Sequence, residues 1–176
     1  MSRRVMAVCA AVVAAAVAGP ACSHAVGGTP QRAVGADAAA HGYGYSQNRC
    51  GMLLDATVAE IIGGSHLVRP YSGAVCQYVI WRQGTTVDLV YSWFETGTLD
   101  RERALANQNH AQVSDIDLQR HAAFLARRAV TGNACSATAA TKPGVASWWV
   151  QVRGAAPADP CKDAQQLLAR TLSADM

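Results

Sequence analysis

The 176-residue chain contains none of the short motifs that announce common chemistries. It has no G-x-S-x-G elbow for a serine nucleophile, no H-E-x-x-H pair for zinc and no glycine-rich phosphate loop. Paired carboxylates in a recognisable catalytic setting are missing too. These absences remove the usual sequence arguments for an enzyme, and no cofactor is implied. No two cysteines stand at the C-x-x-C spacing common in zinc sites, so no metal ligands are assigned. Heptad and solenoid repeats are absent. Charged residues make up only 15% of the chain, without a basic run interleaved with aromatics. Nucleic-acid binding therefore has no electrostatic footprint. Nor is there an apolar run of the roughly 20 residues that a membrane-spanning helix needs. The strongly apolar stretch that begins at Val5 stops at Ala18.

What that stretch does have is Arg3 and Arg4 before it and small residues after it. A basic start, a short apolar core and a small-residue cleavage point describe a secretory signal peptide, assigned to residues 1–21. Gly19-Pro20-Ala21 then precedes Cys22 and resembles a bacterial lipobox, although Gly19 stands where Leu or Val is usual. Cys22 is either a diacylglyceryl-bearing N-terminus or an incidental thiol beside an ordinary cleavage point. Cysteine parity favours the lipid, since an unpaired exported thiol is a liability. Without the two signal arginines the chain is nearly neutral. Residues 22–49 are rich in Ala and Gly, lack apolar periodicity and read as a flexible tether reaching about 30 Å. Tyr43 and Tyr45 in this stretch are candidates for packing on the domain.

The remaining cysteines, Cys50, Cys76, Cys135 and Cys161, fall in the expected exported domain, where disulfides are favoured. Four cysteines allow three pairings that sequence does not separate. Sequential pairing is the preferred expectation because it closes two loops of equal length. Each would contribute roughly 3.5 kcal/mol by loop-closure entropy.

Residues 50–176 have room for one domain. "LLDATVAEIIGG" predicts a helix with Leu53, Leu54, Val58, Ile61 and Ile62 on its apolar side. Its start is signalled by a Thr57/Glu60 capping box or by Asp55, and its end by Gly63-Gly64. A loop containing Pro70 should follow. "VCQYVIW" and "TTVDLVYSWF" predict a hairpin across "RQG", with Val87, Leu89, Tyr91 and Trp93 or Phe94 inward. A charged helix is expected from Leu99 to about Asn109. The next stretch, "AQVSDIDLQ", is polar and ambiguous, and His121–Val130 reads as strand on its flanking turn signals. "NACSATAAT" and "ASWWVQVRG" form another hairpin around Lys142-Pro143-Gly144. Asp159 and Pro160 open a final helix with Ala164, Leu167, Leu168 and Leu172 as its stripe. The expected class is α+β, an antiparallel sheet of about five strands flanked by helices and carrying two disulfides.

The ordered set "CGMLLDATVAEIIGG", "CQYVIW", "NACSATA" and "PCKDAQQLLARTL" resembles an actinobacterial, mycobacterial-type secreted lipoprotein domain of unknown function with four cysteines. The resemblance runs from Cys50 to about Ser173. Tyr78 stands where that pattern has its aromatic residue, and Trp81 comes later than usual. The resemblance implies export, anchoring to the membrane and two disulfides; it implies no catalytic residues.

Two kinds of function remain. One is a noncatalytic, lipid-anchored and monomeric envelope protein on the outer face of the cytoplasmic membrane, binding an envelope lipid, a glycan or a protein partner. Adjacent strand residues point to opposite faces. One of Trp148 and Trp149 must therefore leave the main core face, and Trp93, Trp148, Trp149 and Arg153 are the candidate ligand contacts. The other is an exported enzyme using the polar stretch His110–His121, where two histidines accompany Asp115 and Asp117. The plainer reading of that stretch is a solvated loop.

Overall fold

Alternation of apolar residues decides the centre of this fold. The computed structural model describes residues 50–72, 75–128, 133–154 and 158–174. The expected signal peptide, the tether with Tyr43 and Tyr45, and the anchor candidate Cys22 lie outside the described residues. In chain order the elements are α1 (Asp55–Ile62), β1 (His66–Ser72), β2 (Val75–Arg82), β3 (Thr85–Phe94), α2 (Leu99–Gln108), β4 (Gln112–Leu118), β5 (His121–Arg128), β6 (Asn133–Ala140), β7 (Val145–Val152) and α3 (Pro160–Ser173). The strands make one seven-stranded antiparallel sheet in the order β1-β2-β3-β7-β6-β5-β4.

The class is the expected α+β, but the sheet has seven strands and not about five. Both additions are edges: β1 replaces the expected Pro70 loop, and β4 is the stretch that read as ambiguous. A bulge between Val68 and Tyr71 accommodates Pro70 in β1, where an edge strand can spare an N–H. His121–Arg128 is a strand, as its turn signals suggested.

Val87, Leu89 and Tyr91 of β3 face the same side as Ala146, Trp148, Val150 and Val152 of β7, and all are buried. Trp93 joins this side, while Phe94 points away and is exposed. α3 lies across this face against β6 and β7, burying Ala164, Leu167, Leu168 and Leu172. Alanines at 137, 139 and 146 leave room for the helix to approach and for the Trp148 ring between the two layers. Asp159 caps α3 by accepting from the Cys161 N–H, with Pro160 in the first turn as expected.

α1 begins differently from the expectation. Its N-cap is Leu54, with no side-chain cap, and Thr57 and Glu60 lie inside the helix. Leu53 is buried and Leu54 is 66% exposed, so the apolar side is narrower than the sequence pattern suggested. Gly63 ends the helix in the left-handed conformation at φ 70°.

Cys50 pairs with Cys76 and Cys135 with Cys161, each at a sequence separation of 26. Both cross-links sit on the α3 side of the sheet. The first pins the chain entry to β2, and the second pins β6 to the first turn of α3.

Tyr78 is buried beside the first cross-link, where Arg69 donates to Cys50 Sγ and pairs with Asp55. Burial, then Asp55, push the Tyr78 hydroxyl up from 10 to about 12, against a smaller lowering by Arg69. A raised native value means that the folded state holds this proton more tightly. Its contribution is complete below pH 10 and is lost as pH rises through about 12. We expect chemical denaturation between those values to show a loss on the order of 2–3 kcal/mol that Tyr78→Phe flattens. A pH dependence unchanged in Y78F would assign the loss to other groups.

Candidate ligand groove on the second face of the sheet

Each strand that sends one set of side chains toward α3 sends the alternate set to the opposite face. On β7 that set is Ser147, Trp149 and Gln151; on β6 it is Ser136 and Thr138, paired across the ladder with Trp149 and Ser147. On β5 it is Phe124 and Ala126. α2 covers only this half of the second face, meeting β4, β5 and β6. Thr98 caps the helix by accepting from the Arg101 N–H, and Arg103 lies over the Phe124 ring at 5.0 Å while pairing with Asp115. The helix is thus held at its β4–β5 side.

Between α2 and the sheet lies a groove of about 280 Å3. Leu105 and Ala106 of the helix and Asn109 at its C-cap form its roof, and Phe124, Ser136, Thr138, Ser147 and Trp149 form its floor and wall. Thr138 is only 4% exposed, and its hydroxyl stands 2.9 Å from that of Ser147. Beyond Trp149 no helix covers β3, β2 and β1 among the described residues, and Val68 and Trp81 are 39% and 44% exposed there.

The proposed contact residues separate. Trp149 lies in the groove. Trp148 does not, and its assignment as a ligand contact is corrected. Its ring is fully buried against Tyr78 and Tyr91, with Nε1 donating to Thr171 Oγ1 at 2.8 Å. Trp93 is on the α3 side of the sheet and donates to the Pro143 carbonyl. Arg153 forms a two-pronged pair with Asp88, Nη2 to Oδ1 at 2.7 Å. The Asp88 hydrogen bonds, then its charge, raise the Arg153 pKa further. Trp93 and Trp149 therefore belong to opposite faces and do not form one site.

The polar stretch His110–His121 is also taken apart by the fold. It is mostly β4, so its ends are roughly 20 Å apart at the usual strand rise. His110 sits in the turn after α2 at φ 56°, whereas His121 at the far end donates from Nδ1 to the Ala140 carbonyl at 2.8 Å. Asp115 is held by Arg103. Among the described residues no three or more His, Cys, Asp or Glu side chains gather as a metal site.

A second cavity, about 460 Å3, lies between the β4–β5 hairpin and the first turn of α3. Its Arg127 is engaged by Asp159 at 2.7 Å. Burial raises the Asp159 carboxyl, but Arg127 and the Cys161 and Lys162 amides outweigh this and leave it lowered.

The chain belongs to the family described as "Protein of unknown function (DUF3558)". The match runs over residues 11–174, nearly the whole length. No curated protein and no solved structure matches the chain. The family description assigns no chemistry, so the groove must be read from its own residues. Sequence reasoning singled out Trp149 for its place off the core face, but not the neighbouring Ser136, Thr138 and Ser147. Their signal was present: hydroxyls at alternate positions of "NACSATAA" and a third, Ser147, in its expected partner strand "VASWWVQV".

Proposed function

We propose that this protein is an exported cell-envelope lipoprotein, anchored through a diacylglyceryl group on Cys22 to the outer face of the cytoplasmic membrane. Its domain binds a ligand or partner without catalysing a reaction and works as a monomer. One observation carries the reading: a domain cross-linked twice on its packed face keeps a part-apolar groove on the other. Disulfides favour an oxidising compartment. A concave surface joining an aromatic wall to a few placed polar groups is the usual form of a small-ligand site. The described residues hold no helix long and apolar enough to cross a membrane. The reading places attachment at the lipid on Cys22.

The first test is the intact mass of the protein from membrane and culture-supernatant fractions. We expect a membrane-bound species that begins at Cys22 and is heavier by a diacylglyceryl group. Cys22→Ala should move the protein into the supernatant. A soluble wild-type species of unmodified mass would sink the anchored reading.

A further inference from the structure

If the domain is a binding module, as proposed, the chemical character of its groove narrows the ligand. The floor is a pair of side-chain hydroxyls, Thr138 and Ser147, with Ser136 beside them. In such a pair one hydroxyl donates to the other, which leaves one hydrogen and several lone pairs to offer a ligand. The floor can therefore both give and receive hydrogen bonds. Its charged rim is balanced, with Glu102 on the helix and Arg128 on β5. An isolated anion or cation would meet both signs. Trp149 supplies an aromatic wall against which C–H groups can pack. The volume, about 280 Å3, is at the small end of ligand clefts, too little to enclose a long acyl chain.

An uncharged ring that is apolar on its faces and carries hydroxyls around its edge satisfies all four features. We infer that the groove between α2 and the sheet is a binding site for one neutral sugar residue of a glycan. Trp149 packs against the ring, and the Thr138–Ser147 pair reads its hydroxyls. A charged headgroup would leave one rim residue opposed, and a purely apolar ligand would leave the buried Thr138 hydroxyl facing hydrocarbon.

The test is a titration of the 15N-labelled exported chain, in detergent if anchored, with methyl glycosides of glucose, galactose, mannose and arabinose. The indole N–H signals of the four tryptophans are the readout, with Trp149 assigned from Trp149→Phe. At least one glycoside should move the Trp149 signal saturably, with a Kd on the order of 1 mM. Thr138→Val, close in shape but without the hydroxyl, should weaken that binding about tenfold or more. Ser147→Ala checks the same floor from the other strand, and Trp81→Phe on the uncovered half should leave binding unchanged.

No movement with any glycoside up to about 50 mM would overturn the inference. So would binding that is indifferent to both floor substitutions, or a response to sodium sulfate, octanoate or a peptide in place of the glycosides. Failure here leaves the lipid-bearing mass of the membrane fraction untouched. A soluble, unmodified protein that still takes a glycoside would instead remove the anchor and keep the site.

Discussion

Trp148→Ala should lower the stability of the folded domain by about 3–5 kcal/mol, the range for truncating a large buried aromatic. The ring is fully buried, stacked near Tyr78 at 5.8 Å and tilted against Tyr91 at 5.1 Å between centroids. Removing it opens a cavity between the sheet and α3 that the rigid ladder on either side is poorly placed to fill. It also strips Thr171 of a partner, leaving a fully buried hydroxyl with only its bond to the Leu167 carbonyl at 3.0 Å. Trp148→Phe should recover much of the loss, since it keeps a ring and forfeits chiefly the indole hydrogen bond. Urea denaturation of the two variants measures this, and a loss below about 1 kcal/mol for alanine would show that the layer collapses onto the gap. Glycoside binding should survive in W148F, because that ring faces α3 and not the groove.

Asp163→Ala should cost a similar amount for a different reason. Asp163 accepts from Arg82 Nη1 at 2.7 Å, with both side chains only 12% exposed. The same Nη1 donates to the Ile62 carbonyl at 3.1 Å, so a single guanidinium joins α1, β2 and α3. Its Nη2 is buried without a hydrogen-bond partner, so little else compensates the cation. Removing the carboxylate strands a buried positive charge, at about 3–5 kcal/mol. Taking both charges away should cost less than taking one. The double variant Arg82→Met with Asp163→Ala is expected to be more stable than D163A alone. A double variant no better than the single one would show that the pair acts through packing.

The elements legible in the sequence were those with one face buried and one not. β3 and β7 alternate cleanly because they lie at the centre of the sheet, and burial imprints a period of two on their residues. The two edge strands were not recognised. β1 buries no residue fully and contains Pro70, while β4 buries only Leu118 and exposes Asp115 and Asp117. Their strand character comes from a neighbour's hydrogen bonds and not from their own side chains. α1 was found but its start was misplaced, because Leu54 takes the cap position with its backbone alone. The site was half visible for a related reason. Alternation showed that Trp149 leaves the core side of β7, but the groove also depends on where α2 settles. That is fixed by Arg103, which reaches both Phe124 and Asp115 from another part of the chain.

The strand order carries a consequence for how the chain folds. β1, β2 and β3 form one run of neighbours, β4 to β7 another, and each run is stitched by short connections. Gln83-Gly84 and Gln119-Arg120 make two of these turns, with positive φ at both residues of each. Among the described residues the two runs pair along β3 and β7, where Leu89 faces Val150 across about sixty residues of sequence. Local hairpins close quickly, whereas a contact between distant segments must first overcome the entropy of a long loop. Of the strand pairings, the β3–β7 seam therefore carries the largest loop-closure cost, and the Tyr91–Trp148 contact lies on it. Opened along that seam, the sheet would divide into β1–β3 and β4–β7, each with its central strand unpaired on one side.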